Sequence, residues 1–139
     1  MTARPRYAGD RARLVVIAAC AASTGAHVAL TPEHLEHEPA MGVAFIVASL
    51  LTFTLAMALT LRLRSTMLAG TAAVVFAGLI AAYVLNVATG IPGLSDGPEP
   101  VDLAGAGTKA VEAIGLIFAL HLMTTLSGRR SLVTKEARS

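Results

Sequence analysis

Four apolar stretches, each about long enough to cross a bilayer, constrain this chain more than any other feature of its sequence. A membrane helix needs about 20 mostly apolar residues to cross roughly 30 Å of hydrocarbon. Only 14% of the residues are charged, whereas a soluble domain carries about 25%. The sequence therefore predicts an all-α membrane protein whose single domain, 1–139, is a four-helix transmembrane bundle. The predicted spans are 14–31, 41–61, 67–87 and 106–126.

The basic residues indicate how these spans are oriented. All of them except Lys109 precede span one, lie between spans two and three, or follow span four; the connections 32–40 and 88–105 carry none. Lysine and arginine favour short cytoplasmic loops. We therefore expect a multi-pass protein of the plasma membrane with antiparallel neighbouring helices, both termini in the cytoplasm, and both of these connections on the outer side.

Two other classes of protein are disfavoured. The basic residues are not pooled and only 4% of residues are aromatic, so the sequence argues against a nucleic-acid partner. The single cysteine, Cys20, excludes an internal disulfide and a two-cysteine metal site. The arginines before Ile17–Cys20 also resemble the start of a lipoprotein signal. This interpretation is disfavoured because the apolar run before Cys20 is short and the sequence after it stays apolar.

Small residues predict how the helices pack, because lipid tails provide no hydrophobic drive and close backbone approach becomes the usual contact. Span two is richer in large apolar side chains and is expected to face lipid. The predicted contact stripes are Ala18, Ala22 and Ala26 in span one, Ala69, Ala73, Ala77 and Ala81 in span three, and Gly115 and Ala119 in span four. The large residues of span two are Leu50, Leu51, Phe53, Leu55 and Leu59.

The segment HVALTPEHLEHEP, 27–39, holds three of the four histidines and three glutamates. Thr31 followed by Pro32 resembles a helix start, so we expect span one to break or kink there into a short surface helix. Imidazole and carboxylate suit zinc or copper(II), and a solvated amphipathic turn is the alternative. The candidate metal ligands are His27, Glu33, His34, His37 and Glu38.

A second group of polar residues lies within the predicted spans. Glu112 is about 9 Å below the outer boundary of span four, and ionisable groups at such depth usually face the bundle interior with a partner. Comparable depth predicts that the members converge, either as a lock that fixes the packing of the bundle or as a functional pocket. This intramembrane polar cluster consists of His27, Tyr83, Asn86, Lys109 and Glu112.

The segments HVALTPEHLEHEP and GLSDGPEPVDL, 27–39 and 93–103, give the chain a resemblance to uncharacterised small four-span integral membrane proteins of high-GC actinobacteria. The likeness extends over most of the length. It implies a four-helix fold and a lineage, and it brings no activity or site residue with it.

These patterns favour a non-enzymatic accessory or scaffold subunit that packs with itself or with a larger membrane complex. The first alternative is an extracytoplasmic metal-binding or metal-transfer protein using the His/Glu cluster. The second is a proton- or quinone-linked redox component using the intramembrane residues. The sequence indicates no catalytic residue, and zinc or copper(II) is the candidate cofactor under the first alternative.

Overall fold

A computed structural model describes residues 4–62, 65–95 and 97–136, and the side chains within 9–62, 65–95 and 97–128. The described residues form helices and no strand: α1 Arg4–His37, α2 Pro39–Leu61, α3 Thr66–Thr89 and α4 Leu103–Glu136. Gly9–His37, Pro39–Leu61, Thr66–Thr89 and Leu103–Gly128 are each long and apolar enough to cross a membrane. The predicted all-α chain with four such helices is confirmed.

The core is built largely from alanines, and it draws on all four helices. α1 packs against α2 and α4, and α3 packs against α4, while α2 and α3 touch less extensively. Phe76 is the largest fully buried side chain, and it fills the space that the alanines leave. The main buried cluster contains Val16, Ala19, Cys20, Leu55, Ala56, Leu59, Ala72, Ala73, Phe76 and Ala119.

The face of α1 that packs inward differs from the predicted one. Ala18 and Ala22 are exposed and Ala26 is half-buried, whereas the buried face runs through Ala12, Val16, Ala19, Cys20 and Ser23. This face also carries the polar side chains Ser23 and His27, and burying it allows Ser23 to donate to Glu112 of α4. Polar groups, rather than the smallest residues, decide which side of α1 faces the other helices.

The remaining packing predictions are mixed. Gly115 and Ala119 of α4 are buried as expected, and in α3 the stripe is buried at Ala69 and Ala73. The stripe turns outward at Ala77 and Ala81, which are exposed. In α2 the expected lipid-facing residues divide as well, with Leu50, Leu51 and Phe53 exposed and Leu55 and Leu59 buried.

The predicted break at Thr31–Pro32 is wrong, since α1 continues through Pro32 to His37. Thr31 is not an N-cap; its hydroxyl donates to the carbonyl of His27 at 2.7 Å, one turn back in the same helix. His34 Nδ1 bonds the Leu30 carbonyl at 3.0 Å, so side chains on both sides of the proline bond nearby carbonyls. The backbone bond that Pro32 cannot donate is the one to the Val28 carbonyl, and membrane helices tolerate such an internal proline. The connection to α2 is thereby reduced to Glu38.

Specific residues define the other helix ends. Pro39 begins α2, as its fixed φ favours. Ser65 caps α3 by accepting a hydrogen bond from the Leu68 amide at 3.2 Å. α3 ends at Gly90, whose φ of 71° favours glycine and where a Cβ would lie 2.7 Å from the Gly97 carbonyl carbon. The chain therefore turns back tightly at Gly90 into the connection that leads to α4.

Candidate functional site: polar groups inside the bundle and at one end of it

Glu112 of α4 is the centre of the polar groups inside the bundle. Its side chain has no exposed surface, and Lys109, one turn earlier in the same helix, lies 2.6 Å from Glu112 Oε2. A buried carboxylate is costly unless it is paired and hydrogen-bonded. The structure pairs Glu112 with Lys109, and this pairing neutralises both charges locally.

The second oxygen of Glu112 is bound by α1. Ser23 Oγ donates to Glu112 Oε1 at 2.8 Å, and this contact joins residues 89 positions apart in sequence. Ser23 is itself fully buried. Both carboxylate oxygens therefore have a charged or polar partner, one from the same helix and one from a neighbouring helix.

His27 joins this group through Ser23. Its Nδ1 donates to the Ser23 carbonyl at 2.8 Å and lies 3.4 Å from Ser23 Oγ. A carbonyl only accepts, so Nδ1 carries a proton and cannot take the one on the Ser23 hydroxyl. Because that hydroxyl already donates to Glu112, the pair does not form a serine nucleophile activated by histidine.

Lys109 extends the group to α3. Its Nζ lies 3.4 Å from the Leu79 carbonyl and 5.6 Å from the centre of the Tyr83 ring. The Tyr83 hydroxyl is buried without a hydrogen-bond partner among the described residues, and its ring packs where a Cβ on Gly105 would lie. Tyr83 therefore contributes a ring beside the ammonium group rather than a hydrogen bond to it.

Asn86 does not join the cluster around Glu112. Its Nδ2 donates to Glu99 Oε2 at 2.8 Å, and its Oδ1 accepts from Ser95 Oγ at 2.7 Å. Both partners lie in the connection between α3 and α4. The predicted cluster is thus divided: four of its members share the α1, α3 and α4 interior, and Asn86 belongs to a second group at the end of the bundle.

Glu99 is the centre of this second group, which we call the end cluster: His34, Glu38, Asn86 and Glu99. His34 Nε2 lies 3.9 Å from Glu99 Oε1, and the Glu38 and Glu99 side chains share a hydrogen bond. Burial raises the pKa of Glu99 most, and the neighbouring Glu38 carboxyl raises it next. His34 lowers that pKa, and Asp102 raises it further.

Phe45 of α2 separates the two groups. Its ring meets His27 edge-on at 5.3 Å between centroids and His34 at 4.5 Å. The two imidazoles thus face the same ring from the same helix, one towards Glu112 and the other towards Glu99. Sequence reasoning missed Phe45 and Glu99, because no spacing pattern relates them to the histidines; Ser23 was identifiable from its place one turn before His27.

The predicted metal ligands are brought together only in part: His34 and Glu38 lie beside Glu99, whereas His27 and His37 lie elsewhere. His27 lies in the interior, His34 faces Glu99, and His37 is exposed with its Nδ1 bonded to the Glu33 carbonyl at 2.9 Å. Within the described part of the chain, no three His, Cys, Asp or Glu residues form a group that could hold a metal ion. Continuity of α1 explains this separation, because His27 and the later histidines cannot fold back towards one another without a break at Pro32.

Comparison with known proteins adds no further assignment, since no family model, curated protein or solved structure matches this chain.

Proposed function

We propose that this chain is a small non-enzymatic integral membrane protein that acts as an accessory or scaffold subunit, packing with itself or within a larger membrane complex. The observation that carries this proposal is the outward exposure of small residues on α1 and α3. Helices in lipid associate where small residues let their backbones approach closely. Small residues left outside the bundle are therefore suited to contact with a further helix.

One of these surfaces is the α3 outer face, which we define as Val74, Ala77, Gly78 and Ala81. All four are exposed, and the spacing of three and four places them on one side of the helix. Outside the backbone of α3 itself, no described atom lies within 4 Å of the position that a Cβ on Gly78 would occupy. The face is thus flat along its centre, which favours close approach by another helix.

α1 offers a similar surface on its outer side. Ala18, Ala22 and Gly25 are exposed at helical spacing, and a Cβ on Gly25 would also meet nothing within 4 Å. The connections add little area for a soluble partner, because Glu38 alone joins α1 to α2 and residues 90–102 join α3 to α4. Most of the surface that a partner can contact is therefore helix surface in the apolar region.

The proposal includes antiparallel neighbouring helices. Contacts between α1 and α2 support this, since Arg13 bonds Leu59, Thr24 bonds Thr52, and His27 meets Phe45. The residue numbers of these contacts increase along α1 while they decrease along α2. The distribution of arginine and lysine supports cytoplasmic termini in the plasma membrane, with the end cluster on the extracytoplasmic side.

Mass spectrometry of the native complex tests the proposal. We expect the protein, extracted in a mild detergent, to retain either a second copy or another membrane chain. Gly78→Leu should remove that partner or reduce its occupancy several-fold, because the added side chain keeps the helices apart. Gly107→Leu is the matched control, since it adds the same bulk to an exposed position of α4 with open space around it. A single chain without partner in every mild detergent would contradict the proposal.

A further inference from the structure

The end cluster joins two parts of the chain that are far apart in sequence. His34 and Glu38 lie where α1 meets α2, while Glu99 lies in the connection between α3 and α4. Asn86 holds Glu99 through two hydrogen bonds. Its Nδ2 donates to Glu99 Oε2 at 2.8 Å, and its backbone carbonyl accepts from the Glu99 amide at 3.4 Å. The α1–α2 junction and the α3–α4 connection therefore meet at the Glu99 carboxyl group.

The hydrogen-bonding capacity of these groups requires a shared proton. His34 Nδ1 donates to the Leu30 carbonyl at 3.0 Å, so Nε2, which faces Glu99, has a hydrogen only when the imidazole is protonated. Ionised Glu38 and Glu99 only accept hydrogen bonds. With neutral His34 and both carboxylates ionised, three acceptors face one another without a hydrogen between them.

We propose that His34, Glu38 and Glu99 form a proton-binding site that clasps the α1–α2 junction to the α3–α4 connection. One proton held among the three groups permits the Glu38–Glu99 hydrogen bond or charges His34 opposite Glu99. Loss of that proton leaves the Glu38 and Glu99 carboxylates side by side, both negatively charged, with the Nε2 lone pair of His34 directed at Glu99. The clasp then loosens, and the connection 90–102 separates from the end of α1.

The direction of the pH dependence follows from the groups that face Glu99. These are Glu38 and His34 from the α1–α2 junction, Asp102 from its own connection, and the neutral Asn86 from α3. Burial and then Glu38 raise the pKa of Glu99 above 4.5, so the closed clasp binds its proton more tightly than an open one does. Closure is therefore fully favoured at a pH below 4.5, and it is weakened as the pH rises through the raised pKa of Glu99.

Distance measurement between two spin labels tests this proposal on the full chain in lipid nanodiscs. Ala40 and Val101 are exposed, and each is two residues from a member of the cluster. Labels on Ala40→Cys and Val101→Cys, with Cys20→Ala, should give one short distance near pH 4 and a growing longer population towards about pH 8. Measurement in the presence of a chelator separates proton binding from capture of a stray metal ion.

Two variants make the outcome decisive. Glu99→Gln removes the charge and keeps an acceptor, so the short distance should persist across the whole pH range. Glu36→Gln removes the same charge from an exposed position of α1 and should leave the pH dependence of the wild type intact. An unchanging distance in the wild type, the same pH dependence in Glu99→Gln, or loss of the dependence in the chelator would overturn the proposal. If Glu99→Gln fails to fold, the pH dependence of the label distance in the wild type still tests the proposal.

Discussion

At the scale of single residues, the Glu112 carboxylate links three helices. It binds Ser23 of α1 and Lys109 of its own helix, and the same ammonium group reaches the Leu79 carbonyl of α3. Both of its oxygens are occupied, which favours a role in fixing the packing of the helices. A buried ion pair contributes little net stability, but the loss of one partner leaves the other charge unpaired.

The substitution Glu112→Gln should therefore be strongly destabilising. Lys109 would remain largely buried without its counter-charge, at a cost of about 3–5 kcal/mol in the free energy of unfolding. Thermal unfolding in detergent, followed by circular dichroism, measures the effect. Glu36→Gln, which removes an exposed carboxylate, is the control.

The double variant Lys109→Met/Glu112→Leu removes both charges together. It should recover most of the stability that Glu112→Gln loses, because apolar residues of similar volume replace a buried pair at little cost. Equal stability of the wild type and Glu112→Gln, within about 0.5 kcal/mol, would show that the pair does not hold the bundle together.

At the scale of helices, α1 and α3 both pack against α4 at Gly115. A Cβ at this position would lie 2.6 Å from Phe76 Cε2 and 2.8 Å from the Ala19 Cβ. The glycine thus allows Phe76, the largest fully buried side chain, to pack across α4. This crossing lies one helical turn from Glu112, so steric fit and charge pairing act at neighbouring positions.

We expect Gly115→Ala to destabilise the bundle even though alanine favours a helix. The added methyl group must displace the Phe76 ring or separate the helices, which typically costs about 1–3 kcal/mol. Gly107→Ala in the same helix meets open space and should be neutral or stabilising by up to about 1 kcal/mol. The pair of melting temperatures checks this prediction, and a more stable Gly115→Ala would contradict the packing described for this crossing.

The sequence predicted the helices better than it predicted their faces. Number, approximate length and apolar character follow from spans of about 20 residues. The inward face of α1 does not follow, because alanines occupy several sides of that helix and lipid is as apolar as the core. The contact of Ser23 with Glu112 settles the rotation of α1, and such a contact depends on two residues 89 positions apart.

At the scale of the whole molecule, the polar residues divide into two groups that depth alone could not separate. Asn86 was expected beside Glu112, yet its side chain bonds Glu99 and Ser95 of the α3–α4 connection. The path of that connection depends on Gly90 and on contacts with distant residues, and periodicity carries no information about it. The histidines that the sequence grouped as ligands are separated for another reason, since α1 continues through Pro32 and keeps His27 more than one turn from His34.

The bundle encloses the polar groups around Glu112 and leaves many of its small residues exposed. The interior binds Glu112, Lys109 and Ser23 to one another, so it needs no partner to satisfy them. The α3 outer face, by contrast, exposes residues suited to close helix contact. The proposal of an accessory or scaffold subunit rests on this contrast and places the partner within the membrane.

Site-specific photo-crosslinking in intact membranes tests that proposal most directly. A photoreactive amino acid at Val74, which is 73% exposed on the α3 outer face, is compared with the same group at Leu50, which is 61% exposed on α2. We predict a discrete protein adduct from Val74, with a copy of this chain or another membrane protein, and reaction with lipid alone from Leu50. Reaction with lipid alone at both positions, or the same protein adduct from both, would contradict assembly through the α3 outer face.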